Sequence, residues 1–201
     1  MARTQADNYG ERRAEIVERA AHLFAERGFR DATIGDLAKA CGTSKSLLYH
    51  YYQSKEDILF DVMHSHVQAL LVAAERLMEK NKPANDTLYA LTLEFMRLYL
   101  GAASRQRVLL NELKQLPPKR RRKIVDTQRR LIDIVATLLV KIRPELARQT
   151  HLQKPTTMLY FGMINWMHTW LNPSGDAKPE RIAELAISIF LSGFTNVELH
   201  T

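Results

Sequence analysis

Apolar residues recur along this chain three and four positions apart, the spacing of a helix face. Ile16, Ala20, Leu23 and Phe24 fall at i, i+4, i+7 and i+8 with Arg and Glu between them, which predicts a first helix over about 8–28. Gly28 ends it, because glycine accepts the left-handed conformation that closes helices. Thr33 predicts the N-cap of a short second helix, with Asp36 acting on the exposed amides of its first turn, Ile34, Leu37 and Ala38 inward, and Gly42 at its end. A third helix starts at Thr43 or Ser44 and carries Leu47, Leu48 and Tyr51; Ser54 caps a fourth that runs to about Asn81. Beyond Pro83 the periodicity predicts helices at about 84–102, 105–115, 118–142, 156–171 and 179–198. The breaks fall at Gly101, Pro117-Pro118, Arg143-Pro144 and Asn172 to Gly175. No segment alternates as a strand does. The pattern predicts an all-α fold of about nine helices.

One stretch needs a membrane check. Residues 155–175 carry no charge, close to the roughly 20 residues that span a bilayer. Thr156, Thr157, Asn165, His168, Thr169, Asn172 and Pro173 interrupt it, and lipid would bury most of them at a steep cost. It reads as a helix packed against protein. The rest of the composition is that of a soluble globular protein, with 46% hydrophobic and 25% charged residues in 201. The single cysteine, Cys41, excludes an internal disulfide and a multi-thiolate zinc site. The N-terminal residues lack the apolar core of a signal peptide, which predicts a cytoplasmic protein.

Two short helices joined by a glycine-bearing turn and braced by a longer one make the layout of a helix-turn-helix unit. Phe24, Gly28, Phe29, Thr33, Ile34, Ala38, Gly42, Leu48, Tyr49, Tyr52 and Lys55 mark it. On these residues the segment from Arg12 to Leu59, about a quarter of the chain, resembles the DNA-binding domain of the TetR family of transcriptional regulators. Tyr52 stands where phenylalanine is commoner, a change expected to be neutral. The resemblance implies a DNA-binding domain over 1–55 and a helical effector-binding and dimerisation domain over 56–201.

The chemistry points the same way. A helix in the major groove needs short polar or basic side chains near its N-terminus, which Ser44, Lys45 and Ser46 supply; Leu47 can meet a thymine methyl group. Tyr49, His50, Tyr51 and Lys55 lie where the family contacts phosphates, and Thr33 where a helix N-terminus meets one. Leu48 and Tyr52 read as core, and Cys41 as a small buried filler. Residues 1–60 hold nine basic and nine acidic residues, so net charge does not mark the DNA-binding part.

The positive charge sits elsewhere. Residues 114–148 hold eleven Lys or Arg against Asp126, Asp133 and Glu145, densest at Lys119-Arg120-Arg121-Arg122-Lys123. This run reads as a solvated surface, as an attraction for nucleic acid, or as a site for an anionic ligand. The C-terminal segment YFGMINWMHTWLNPSGDAKPERIAELAISIFLSGF resembles TetR-family members that sense acyl-CoA thioesters. That resemblance implies an acyl-CoA effector, with Phe95, Met96, Tyr99, Leu109, Leu113, Met163, Trp166, Met167 and Trp170 as candidates for an apolar slot. Arg120 and Arg121 are the candidates for the phosphates; another hydrophobic effector of the multidrug type is the alternative. The last two helices, about 156–171 and 179–198, carry more apolar surface than one domain hides, and the resemblance implies a homodimer through them, matched to a palindromic operator. No Gly-rich phosphate loop, nucleophile elbow or catalytic triad is present, and His64 and His66 point to different helix faces. The sequence therefore predicts no catalytic residue, metal or cofactor. A helical adaptor without DNA binding is the remaining class.

Overall fold

A computed structural model describes the backbone of residues 2–172 and 174–197, and the side chains from Tyr9 onward apart from those of 168 and 173. The fold is all-α, with no strand among the described residues. The helices are α1 (Ala2–Arg27), α2 (Ile34–Ala40), α3 (Lys45–Tyr51), α4 (Lys55–Met78), α5 (Ala84–Gly101), α6 (Ala103–Glu112), α7 (Pro118–Ile142), α8 (Thr150–Asn165), the single turn α9 (Met167–Trp170) and α10 (Pro179–Asn196). Short 3₁₀ turns cover Leu113–Gln115 and Pro144–Ala147.

The start and stop residues behave as their chemistry dictates. Gly28 (φ +80°) and Gly42 (φ +59°) take the left-handed conformation that ends α1 and turns the chain from α2 to α3. The segment predicted as 156–171 is corrected. Its helix begins at Thr150, runs through Pro155, ends at Asn165 and resumes for one turn after Trp166. Proline removes one backbone donor, and this helix continues through that loss rather than starting at it. The predicted end of the last helix at 198 lies outside the described residues.

The chain divides into two compact units, Met1–Val67 with Ala102–Val125, and Gln68–Gly101 with Asp126–Thr201. In the first unit Ile16, Ala20, Phe24, Leu37, Leu48, Ile58, Leu59 and Val62 form the core, and α6 lies along α1 contributing Val108 and Leu109. In the second unit α5 packs on α10 and α8. Its interior is aromatic: Phe95 stacks near Tyr99 (6.0 Å between centroids) and Phe161 (6.2 Å), and Tyr160 meets Phe190 edge-on at 5.5 Å. The buried Tyr160 hydroxyl shares a 2.9 Å hydrogen bond with Thr92, and burial raises the phenol's pKa. Arg143 closes the end of α10, donating to the carbonyls of Phe194 and Val197 at 2.6 Å each. No helix among the described residues is long and apolar enough to cross a membrane.

Candidate nucleic-acid interface

The site is built on the two shortest helices of the first unit. Thr33 caps α2 through a reciprocal box: its Oγ1 accepts from the Asp36 amide at 3.1 Å, and its own amide donates to Asp36 Oδ2 at 3.0 Å. The Thr33 hydroxyl donates to the same carboxylate at 2.6 Å. These bonds hold the Asp36 carboxyl below its ordinary pKa. Ser44 caps α3 by accepting from the Leu47 amide at 3.1 Å.

Leu48 is buried at 1% exposure and fixes the rotation of α3. That rotation leaves Lys45, Ser46, Leu47, Tyr49 and His50 exposed together at one face, beside the exposed Ser44 and Thr33. Lys45 makes no hydrogen bond or ion pair among the described residues. Its stem crosses α2 at Gly35, where an added Cβ would stand 3.1 Å from Lys45 Cε. Such a Cβ would meet the flexible end of that lysine and no backbone of α3, so a small shift of the side chain would accommodate it. Polar, basic and methyl-contacting side chains at the start of a fixed helix can read base edges.

Two supports were not legible in the sequence. Tyr9, near the start of α1, stacks on Tyr51 with centroids 4.7 Å apart. Arg12 donates to the Cys41 carbonyl at 2.9 Å and so holds the turn between α2 and α3. Cys41 itself is buried, and burial pushes its thiol pKa up, as suits a filler.

Two further expectations acquire detail. The Tyr52 hydroxyl, expected to be of no consequence, donates to Asp61 at 2.7 Å and accepts from Arg13 Nε at 3.2 Å. Lys55, expected near a phosphate, is half-buried and already engaged. Its Nζ donates to the carbonyls of Phe29 (2.7 Å), Ala32 (2.8 Å) and Arg30 (3.3 Å) and sits 4.3 Å from the Phe29 ring centre. It ties the start of α4 to the loop before α2.

The expected effector residues divide between the units. Leu109 is buried and Leu113 half-buried in the first. Arg120, also there, pairs with Asp57 and stands over the Phe60 ring, whereas Arg121 is exposed. In the second unit Phe95, Met96, Tyr99 and Met167 are buried in the core and Met163 is half-buried. Trp166 and Trp170 are 66% and 55% exposed.

This arrangement of capped, solvent-facing recognition helix and braced companion is that of a helix-turn-helix DNA-binding protein. The family described as bacterial regulatory proteins, tetR family, matches residues 16–62, and that described as tetracyclin repressor-like, C-terminal domain, matches residues 81–194. The chain belongs to the TetR family. It is 37% identical to a TetR-family transcriptional regulator from Bordetella parapertussis, whose solved structure superposes with a TM-score of 0.87 over 94% of this chain and 98% of that one. The HTH-type transcriptional repressor KstR2 of Rhodococcus jostii is 23% identical over 92% of each chain. The structure of AibR in complex with isovaleryl coenzyme A and operator DNA shares the fold, with 23% identity, a TM-score of 0.75, and coverage of 89% of this chain and 97% of that one.

Proposed function

We propose that this protein is a transcriptional repressor that binds a palindromic operator as a homodimer and releases it when an acyl-CoA thioester binds the helices beyond the DNA-binding part. The observation that carries the DNA reading is the exposed start of α3, where Lys45, Ser46 and Leu47 project beside the cap residue Ser44 and Lys45 makes no hydrogen bond or ion pair among the described residues. Residues 1–55 read DNA; Tyr49, His50, Tyr51 and Thr33 flank the base-reading face and meet phosphates. Lys55 donates to three carbonyls, which uses all the donors of its ammonium, so it attracts a phosphate through its charge or by giving up one of those bonds.

Dimerisation through α8–α10 is supported by apolar side chains left in solvent on two helices of one unit. Met158, Leu159, Trp166, Leu185 and Ile189 are 46–71% exposed at near-helical spacing, more than scattered surface residues account for. A two-fold pair of recognition helices matches a palindrome. The effector reading draws on AibR, a protein of the same fold solved with isovaleryl coenzyme A. An aromatic interior around Phe95, Tyr99, Met163 and Met167 supplies the apolar walls an acyl chain needs. These residues are closely packed, so a ligand parts them, and that rearrangement is what couples effector to DNA. The coupling is reciprocal: effector and operator weaken each other's binding by the same factor.

Selection from random duplex DNA tests the reading directly. An enriched palindrome is expected, and Lys45→Ala relaxes its base preference; absence of any enrichment removes the proposal. Calorimetry with saturated and aromatic acyl-CoAs against free CoA tests the effector, and no binding tighter than millimolar removes that part. Sedimentation at micromolar concentration is expected to give twice the chain mass of 23.1 kDa.

A further inference from the structure

The first turns of α7 carry Lys119, Arg121 and Arg122 in solvent, and none of the three makes a hydrogen bond or ion pair among the described residues. Between them Arg120 points inward to Asp57 on α4 and lies 5.9 Å from the Phe60 ring centre. That inward anchor fixes the start of α7 and leaves its neighbours projecting. The placement is unfavourable for the isolated chain. The first turn of α7 has no acidic residue, so cations crowd the positive end of a 25-residue helix and repel one another. A polyanion relieves both costs.

The surroundings say which polyanion. The start of α7 and the start of α4 form the two walls of one open groove of about 610 Å³, from Ser54 and Glu56 on one side to Gln115, Lys119 and Arg120 on the other. Glu56 is the one acid lining it; the neighbouring Asp57 is neutralised by Arg120. The α4 wall continues directly into the recognition motif. Lys55 is bonded to the Phe29 and Ala32 carbonyls beside the cap residue Thr33, and Arg30 in that loop donates to Gln115 at 3.3 Å. The cations of α7 and the DNA-reading face are thus parts of one scaffold. Residues 1–60 balance nine basic with nine acidic residues, so cations placed beside the motif add to its attraction for duplex DNA.

We propose that Lys119, Arg121 and Arg122 hold phosphates of duplex DNA beyond the bases read by α3. The protein's footprint is then longer than the sequence it recognises, and part of its general attraction for DNA resides outside the helix-turn-helix residues. This rests on the DNA-binding reading above.

The test uses the full chain and the palindrome recovered by selection, in two lengths: trimmed to its half-sites, and extended by about 10 base pairs on each side, roughly one helical turn. The wild-type protein is expected to bind the extended duplex more tightly and with a steeper salt dependence. Combined Lys119→Gln, Arg121→Gln and Arg122→Gln substitution abolishes that gain. The slope of log K against log salt on the extended duplex falls by about 0.9 for each phosphate that is no longer neutralised. Affinity for the trimmed duplex and base preference stay as in the wild type. The proposal is overturned if the variant keeps the length dependence, or loses affinity equally on both lengths. It is also overturned if the variant keeps the length dependence and loses its response to acyl-CoA, which assigns these cations to the effector's phosphates. A wild-type protein that selects no sequence overturns the proposed function itself, a distinguishable result.

Discussion

The two units solve the same packing problem with different chemistry. In the first, α2 and α3 are seven residues each, and α3 buries only Leu48. Helices of that length are not stable alone in water. The turn between them and the loop before them are held by polar ties, Arg12 to the Cys41 carbonyl and Lys55 to three carbonyls, while Arg105 to Glu18 at 2.5 Å and His66 to Gln106 at 2.7 Å join α6 to α1 and α4. In the second unit α5, α8 and α10 have 16 to 18 residues and bury whole stripes, so stacked rings hold them together. Buried apolar side chains such as Leu48 set which face turns inward, and directed hydrogen bonds then fix the ends and the turn. A helix that must present side chains to base edges needs both kinds of support. An interior held by stacked rings can rearrange without losing a directed bond, as the proposed effector would require.

The contrast is broken most forcefully in the aromatic unit. Phe95→Ala is expected to cost about 3–5 kcal/mol in urea unfolding, the penalty of a cavity in a closed core. A loss below about 1 kcal/mol would instead make Phe95 the wall of an existing slot. Next comes Lys55→Met, which keeps the stem and removes the ammonium, leaving the Phe29 and Ala32 carbonyls without their donor. We expect about 2 kcal/mol in thermal unfolding. Unchanged stability with weakened DNA binding would return Lys55 to a purely phosphate-facing role. Tyr52→Phe should cost about 1 kcal/mol, since it removes one hydroxyl from the Arg13–Asp61 pair; no loss would support the neutral exchange expected from sequence.

The mildest effect is on pH. Burial lowers the pKa of His66 in the folded protein, although the bond to Gln106 opposes it. The unfolded chain therefore binds the proton more readily. Stability is full above the ordinary histidine value of about 6.5 and declines as pH falls below it toward the lower folded value. His66→Gln should flatten the thermal stability profile between pH 7 and pH 5. An equally steep profile in that variant would place the acid sensitivity elsewhere.

The fold was largely legible because it is written locally. Thr33 and Ser44 are caps, Gly28 and Gly42 take the left-handed turns, and Leu48 is core, each signalled by the residue type and its near neighbours. The start of α8 was not legible in this way: a helix is expected from about 156, whereas it begins at Thr150 and runs through Pro155. The exposed face of α3 was legible from the motif. What holds the motif was not, because Arg12 meets Cys41 across 29 residues and Lys55 meets Phe29 across 26, and no local pattern records such pairings. Arg120 shows the same limit. Within a run of five cations nothing in the sequence distinguishes the one that turns inward to Asp57.

Trp166 and Trp170 are the chain's only tryptophans, and both stand mostly in solvent within a five-residue stretch. The protein's tryptophan emission is therefore a local signal, originating from that stretch alone. Free in water it should be red-shifted and open to collisional quenchers. Covering the face by a second chain would shift it to the blue and shield it, giving an optical titration of self-association that needs no label.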